Sequence, residues 1–233
     1  MSRSAIAMMV FGLVATLGAA PRGALTPRLR SEPSGQTRGP TDARQQKAAA
    51  AELSRGETPG RAFVRLWRNE EYEVRSAAEA MPADKWDYRP AAGMFKNEKS
   101  ESGPAEVRKF AEQVKHVACS NFAFAAELDG TPPPEACDKG GPSTAHTRAE
   151  LLVYLRDSFV ALRKSLSAVT AENMYDPIEG PYAGPNTRIG LAAVCVWHAA
   201  DHYGQMALYL RLNGIVPPAS RPNPPELKDF PAQ

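Results

Sequence analysis

The sequence is poor in cysteine, and its larger part has no excess of basic residues. Only three cysteines occur in 233 residues, at positions 119, 137 and 195, which is too few for a small scaffold held together by disulfides. Residues 61–233 carry 20 lysines and arginines against 22 acidic residues, so no basic stripe indicates nucleic-acid binding. Apolar residues make up 43% and charged residues 23%, as in an ordinary globular protein with a sizeable core.

The first 20 residues have the layout of an export signal. The stretch MSRSAIAMMVFGLVATLGAA contains a single arginine, followed by a run without charge that ends in small residues, and it is rather short for a membrane span. We therefore predict that residues 1–20 are a signal peptide and that the chain is exported, to the periplasm or out of the cell. Because Pro21 is a poor context for cleavage, a retained N-terminal anchor, and with it membrane attachment, stays open.

Three further regions follow. Residues 21–60 mix proline, glycine, arginine, glutamine and alanine with almost no large apolar side chains, which predicts a disordered, flexible linker. Residues 61–218 contain four long segments with helical spacing of apolar residues, separated by prolines and glycines. Residues 219–233 form a proline-rich tail that cannot continue a helix. Since no run typical of a strand occurs, we predict an all-α four-helix bundle over residues 61–218.

Each predicted helix is bounded by residues that start or stop helices. The first has an apolar stripe that includes Leu66 and Trp67. The boundaries are residue 61 to just before Pro82, Pro104 to just before Asp129-Gly130, a start at the capping-box pair Thr147 and Glu150, and about Thr187 to Leu212.

Two of the four histidines lie four residues apart in the apolar stretch VCVWHAADHYGQMALYLRLNG. His198 and His202 therefore share one face of the fourth helix, at the spacing with which zinc-binding helices present two ligands, although the same spacing also arises by chance. A third histidine, His116, lies near the middle of the second helix, and neutral imidazole is the commonest ligand for zinc and related ions. The helix face of His116, shared with Glu112 and Cys119, suits either a cleft or solvent.

The residues around these histidines resemble the DinB-like (damage-inducible) family of four-helix-bundle metalloproteins. The resemblance rests on FAEQVKHVA in the second helix and on WHAADHYGQMALYLRLNGIVPP in the fourth, where Gly204-Gln205 and Tyr209-Leu210-Arg211 follow the histidine pair. The stretch AEAMPADKWDYRPAAGMF is similar to the end of that family's first helix and the turn after it. The similarity covers about residues 62–218. It implies an up-down-down-up bundle with one metal-binding histidine on the second helix and two on the fourth.

The resemblance implies one divalent metal ion with three protein ligands, His116, His198 and His202. Positions left open on the ion would take water or substrate. Three neutral nitrogens accept zinc, nickel, iron or copper and leave the ion its full charge, which acidifies bound water and favours an oxyanion. Asp201 and Glu112 are candidate acceptors for ring N–H groups, although each is more often a solvated charge, and His146 is expected at the surface.

Two cysteines flank the predicted ligands in sequence. Cys119 lies one turn after His116, and Cys195 lies one turn before His198. The helix order that the resemblance implies makes the second and fourth helices antiparallel, so both cysteines should lie at one level, about 5 Å along the bundle from the metal. Three interpretations stay open: small core residues, a disulfide beside the site, or soft ligands or a redox-active pair.

Two classes of function fit these expectations. The first is a metal-dependent hydrolase or thiol transferase that acts on an unknown small molecule. Export counts against thiol transfer, because low-molecular-weight thiols are chiefly cytoplasmic reductants. The second class is a non-catalytic metal-binding or stress-associated interaction bundle. A third possibility, that the histidines bind no ion and the bundle is an interaction module, stays open. A homodimer formed through the bundle helices is compatible with every case.

No catalytic residue beyond the metal ligands can be assigned from the sequence. Tyr203 follows His202 directly, and Tyr182 lies in the loop before the fourth helix. Each is more often a packing aromatic than an acid. Arg211 suits an anionic substrate, but the dipole at the end of its helix explains it equally well.

Overall fold

The computed structural model describes residues 54–90, 107–134, 146–180 and 186–222, together with Arg44, Gln45, Lys47, Ala48, Ala51 and Cys137. The chain divides into two units, Met1–Ala48 and Ala49–Gln233. The predicted signal segment 1–20 lies outside the described residues, as do most of the predicted linker 21–60 and residues 223–233 of the tail. The boundaries of these segments stay predictions.

Four long helices make up most of the described chain: α1 (Pro59–Ala80), α2 (Phe110–Asp129), α3 (Arg148–Ser167) and α4 (Arg188–Leu212). Short 3-10 turns lie at Ala83–Lys85 and Pro218–Ser220. The two-residue strands β1 (Pro177–Ile178) and β2 (Asn186–Thr187) pair antiparallel just before α4. The all-α prediction is confirmed. None of the helices in this described part has the length and apolar content that a membrane crossing requires.

The second and fourth helices run in opposite directions. Near the start of α2, Gln113 contacts His202 in the second half of α4. Near the end of α2, the carbonyl of Leu128 accepts a hydrogen bond of 2.8 Å from Arg188, the first residue of α4. The middle of α2 therefore lies beside the middle of α4, which is where the predicted ligands lie.

The second and third helices run in the same direction. Asn121 in the middle of α2 donates to Ser158 in the middle of α3 at 3.1 Å, and Asp129 at the end of α2 accepts from Ser165 near the end of α3 at 2.9 Å. Parallel neighbours cannot be joined by a tight turn, and 18 residues, 130–147, separate the end of α2 from the start of α3.

The first helix runs antiparallel to the third and packs closely against its end. Arg148 at the start of α3 donates to the carbonyl of Glu79 at the end of α1. At the other end of the pair, Gly60 N–H donates to the carbonyl of Val169 at 2.8 Å. A Cβ at position 60 would lie 2.7–2.8 Å from the carbonyl oxygens of Leu166, Ser167 and Val169, so only glycine fits. Together with the other two pairs, this gives the order up, down, down, up, as predicted.

Apolar residues from all four helices form one core. The largest fully buried apolar side chains are Trp67, Met81, Phe110, Leu128, Leu155, Phe159, Leu162, Leu166, Leu191, Met206 and Leu210. Burying each such side chain contributes about 1.5–3 kcal/mol. Leu66 does not belong to the core, because it is 49% exposed, and its place in the predicted stripe was wrong. It lies about 100° around α1 from the buried Trp67 and so points to solvent.

The second helix begins later than its sequence predicted, at Phe110 and not at the proline six residues earlier. The first two N–H groups of α2 donate to the carbonyls of Tyr88 and Trp86 at 2.9 Å each. The N–H of Lys109 donates to the carboxylate of Glu112 at 2.6 Å, as in a capping box. The start of α2 is therefore determined by the loop after α1, a contact between segments that local sequence signals do not reveal.

Candidate metal centre

The three histidines singled out in the sequence lie together between α2 and α4. His116 is in the middle of α2, while His198 and His202 are one turn apart on the facing side of α4. Their potential ligand atoms all lie within 4.8 Å of one another. The ring centroids are 4.4 to 5.2 Å apart. The helix phase of His116 was compatible with either a cleft or solvent. In the structure its side chain faces α4.

The spacing of the rings fits an ion held by imidazole nitrogens. The Nε2 atoms of His116 and His198 are 3.3 Å apart. Two nitrogens bound at about 2.0–2.1 Å to one tetrahedral ion lie about 3.3–3.4 Å apart, so the observed distance is the one expected for two ligands of the same ion. The group of three contains neither carboxylate nor thiol. A set of three imidazoles suits zinc, nickel, iron or copper better than magnesium or calcium.

All three rings are neutral near pH 7. Burial lowers the pKa of His198 to about 3 and that of His116 to about 4, and the positive charge of Arg108 and the other histidines add to the effect. Burial also lowers the pKa of His202, against the opposing effect of Asp201. A neutral imidazole keeps a lone pair on one nitrogen, so an ion does not have to displace protons from these rings at neutral pH.

A relay of four side chains, Asp201, Gln205, Gln113 and His202, fixes the proton of the His202 ring. The carboxylate of Asp201 can only accept, and it accepts from Gln205 Nε2 at 3.0 Å. Gln205 Oε1 accepts from Gln113 Nε2 at 2.6 Å, which turns Gln113 Oε1 towards His202 Nδ1 at 3.0 Å. Nδ1 therefore carries the proton and donates it to Gln113. Nε2 keeps the lone pair that a metal ion requires.

The ring of His198 is held by packing instead. Its Nδ1 is buried and has no hydrogen-bond partner in the part of the chain that the structure describes. The ring lies edge-on to Phe124 of α2, with centroids 5.3 Å apart. Contacts with Phe124 and with the other two histidines hold this ring, while its Nε2 lies next to that of His116.

An exposed arginine adds positive charge at the three-histidine cluster. Arg108 lies just before α2, and its backbone carbonyl accepts a hydrogen bond of 2.8 Å from the hydroxyl of Tyr209 on α4. Its charge contributes to the lowered pKa of each of the three histidines, after the larger effect of burial. An anion bound beside the rings would therefore be attracted by Arg108 as well as by any ion that the rings hold.

The expected partners of the ring N–H groups lie elsewhere or act indirectly. Of the two candidate acceptors, Glu112 accepts from the backbone N–H of Lys109 and caps α2. Asp201 reaches His202 only through the two glutamines of the relay. His146 is exposed at the start of α3, as expected, and its backbone N–H donates to Glu150.

The other candidates from the sequence have structural contacts. Tyr203 is half-buried, and burial raises the pKa of its hydroxyl. Arg211 donates a hydrogen bond of 3.2 Å to Ser220, in the turn after α4. Tyr182 lies outside the described residues. None of these observations adds an acid or a base to the cluster.

The two cysteines beside the site face different ways. The contact between His116 and His198 puts Cys119 and Cys195 at one level, as expected, because each lies one turn away on antiparallel helices. Cys119 Sγ, however, lies 3.4 Å from the hydroxyl of Tyr154 on α3, whereas Cys195 is fully buried in the core. Both are free thiols with different neighbours, so the structure does not bear out the interpretation of a disulfide between them. Neither belongs to the group that could hold an ion.

Comparison with known proteins places this bundle in a family. The sequence signature of the DinB superfamily matches residues 66–206, which is more than half of the chain. The chain belongs to the DinB superfamily. Among solved structures, this DinB-superfamily protein is similar to a DinB-like protein from Bacillus cereus ATCC 10987, with a TM-score of 0.51 and 14% sequence identity. The match covers 66% of this chain and 93% of that one, and it shows a shared fold. No curated protein matches the chain.

Three residues at the site of this DinB-superfamily protein escaped the sequence prediction. Gln113 lies three residues before His116, and Gln205 lies three residues after His202, so each shares a helix face with a predicted ligand. This spacing was the one sequence feature that could have indicated a role for the two glutamines. Gln205 was named from the sequence only as part of the family resemblance. Arg108 gave no signal, because its position depends on where α2 begins.

Proposed function

We propose that this DinB-superfamily protein binds one divalent metal ion through His116, His198 and His202, and that it is a metal-dependent hydrolase or transferase acting on a small anionic substrate. The observation that carries the proposal is the convergence of three neutral imidazoles from two antiparallel helices, with two Nε2 atoms 3.3 Å apart. Zinc, nickel, iron and copper all suit this donor set.

Different residues would hold the ion and attract the substrate. When bound, a divalent ion with three neutral nitrogen ligands supplies a Lewis acid and acidifies water in an open position. The relay keeps His202 in the tautomer whose Nε2 is free. Arg108 binds the negative charge of the substrate, because a guanidinium pairs well with a carboxylate or a phosphate. The substrate therefore carries one of these groups.

We also propose that the protein acts after export, on the basis of the uncharged run in residues 1–20. An exported enzyme seldom meets the low-molecular-weight thiols that serve as cytoplasmic reductants. Hydrolysis, which needs only water as the second reactant, is therefore favoured over thiol transfer.

The proposal is tested by metal titration of the full chain. The purified protein is stripped with a chelator and dialysed against zinc, and bound metal is counted by mass spectrometry of the elements. One equivalent per chain is expected, because the described residues offer one group of three ligands. Less than about a tenth of an equivalent would contradict a metal site. One equivalent without turnover of any phosphate or carboxylate ester would support the alternative of a non-catalytic metal-binding bundle.

The relay makes a second prediction. The variant Gln113→Leu removes the acceptor for His202 Nδ1–H and frees the ring to adopt the wrong tautomer, so the affinity for zinc should fall by about 10- to 100-fold. Competition with a zinc-binding dye measures the change. Gln113→Glu restores an acceptor and should recover most of the affinity. Equal loss in both variants would mean that Gln113 serves the packing of α2 and not the orientation of the ring.

A further inference from the structure

Two cysteines and a tyrosine meet where α2 packs against α3. The hydroxyl of Tyr154 on α3 lies 3.4 Å from Cys119 Sγ and 3.2 Å from Cys137 Sγ. Cys137 Sγ also lies 3.5 Å from the backbone carbonyl of Cys119. The two thiols contact the same oxygen atom, and Cys137 also contacts the backbone of Cys119. A small rotation of the side chains can therefore bring the two sulfurs to bonding distance.

We propose that Cys119 and Cys137 are a redox-active pair that forms a reversible disulfide, tying the connection between α2 and α3 to the helix that carries His116. The proposal is independent of metal binding. It also accounts for the odd number of cysteines, since Cys195 is fully buried in α4 and stays reduced.

The oxidant is a disulfide, either of a small molecule or of an oxidoreductase in the oxidising compartment that export would reach, and the two cysteines reduce it to two thiols. Cys137 is the more exposed thiol, because Cys119 is only 5% exposed, so Cys137 reacts first. Its sulfur, as the thiolate, attacks one sulfur of the oxidant, breaks the oxidant's S–S bond and releases one thiol. Cys119 then loses its proton to solvent, attacks the Cys137 sulfur of the mixed disulfide as the thiolate and releases the second thiol. The two cysteine protons end on the two released thiols, and two electrons pass to the oxidant.

Reaction is expected to need such an oxidant and not to proceed on its own. The pKa of the Cys119 thiol is raised, first by its hydrogen bond with Cys137 and then by burial, and burial also raises the pKa of the Tyr154 hydroxyl. Both groups therefore stay protonated near neutral pH. The two thiols therefore stay reduced until they react with a disulfide. This behaviour is typical of a regulatory cysteine pair and not of a permanent structural disulfide.

The test uses the full chain and a digest whose fragments separate the cysteines. The folded protein is incubated with oxidised or reduced glutathione, quenched with acid, unfolded, alkylated and cleaved after lysine and arginine. Residues 116–139 form one fragment with both Cys119 and Cys137, and residues 189–211 form another with Cys195. After oxidation, fragment 116–139 should lack two hydrogens and carry no alkyl group, while fragment 189–211 carries one. A reductant should reverse the change.

Thermal unfolding provides a second measurement. Closing the loop between the two cysteines should raise the melting temperature of the oxidised form by about 5–10 °C over the reduced form. The variant Cys137→Ser should abolish both this difference and the mass change, while Cys195→Ser should keep both. Double alkylation of fragment 116–139 after oxidation, a lasting glutathione adduct on Cys137, or a bond to fragment 189–211 would overturn the proposal.

Discussion

Each of the single variants His116→Ala, His198→Ala and His202→Ala is expected to bind zinc about 100-fold more weakly than the wild type, or worse. Apparent binding free energies of about 10–16 kcal/mol for structural zinc sites with four ligands correspond to about 3 kcal/mol per ligand, or about two powers of ten. A site with only three protein ligands has no spare donor to replace the one that is lost, since the described residues place no carboxylate or thiol in the group. Dialysis against a zinc buffer, followed by metal analysis, measures the affinity.

The chain supplies its own matched control for this experiment. His146 is the fourth histidine, and it is exposed at the start of α3. His146→Ala removes the same chemical group and should leave zinc affinity unchanged. Melting curves of the metal-free variants show whether a loss of affinity comes from unfolding. A ligand variant that binds zinc as tightly as the wild type would remove that histidine from the site, and equal loss in His146→Ala would mean that zinc binds elsewhere.

The three-histidine cluster could be predicted because each of its members left a signal in the sequence. His198 and His202 show the i, i+4 spacing of a helix face, and the position of His116 in the middle of another helix agreed with the family resemblance. What brings the three together is the antiparallel packing of α2 and α4, which the resemblance also implied. The helix phase of His116 alone pointed equally to solvent, so single-helix periodicity does not decide on which side a partner helix lies.

The supporting residues could not be predicted, because their roles depend on several elements at once. Gln113 has its role only because Gln205 and Asp201, on another helix, present an acceptor in line with it. Glu112 was one candidate acceptor for a ring N–H group, but the start of α2 packs on the loop after α1 and uses this carboxylate as a cap. The capping box at Thr147 and Glu150 was predicted correctly, since both partners lie within one turn.

The contacts of the cysteines could also not be predicted from the sequence alone. Sequence spacing placed Cys119 and Cys195 at one level of the bundle, and the helix packing agrees. The height of a residue along the bundle does not determine where its side chain points, because a side chain on α2 can face either α3 or α4. Cys119 faces Tyr154 of α3, where Cys137 from the following connection reaches it. No local sequence pattern indicates this contact, because the two cysteines are 18 positions apart.

The largest effect on stability is expected from Trp67→Ala, which should lower the free energy of unfolding by about 3–5 kcal/mol. Trp67 is completely buried between α1 and α3, and its ring lies 4.8 Å from that of Phe159. Its indole N–H donates to the carbonyl of Phe159 at 3.1 Å, so the substitution leaves a cavity and also removes a buried hydrogen bond. Urea unfolding followed by circular dichroism should show a midpoint about 2 M lower.

A second tryptophan makes the comparison specific to burial. Trp197 is 67% exposed on α4, so Trp197→Ala removes an equal number of atoms and should change the free energy of unfolding by no more than about 0.5 kcal/mol. Both variants are measured with a chelator present, because a bound ion would stabilise the folded state and mask the difference. Since the core around Trp67 joins α1 to α3 and the histidines join α2 to α4, Trp67→Ala should weaken the fold while the protein that remains folded still binds zinc normally. Similar losses for the two tryptophan variants would contradict the packing of α1 described above.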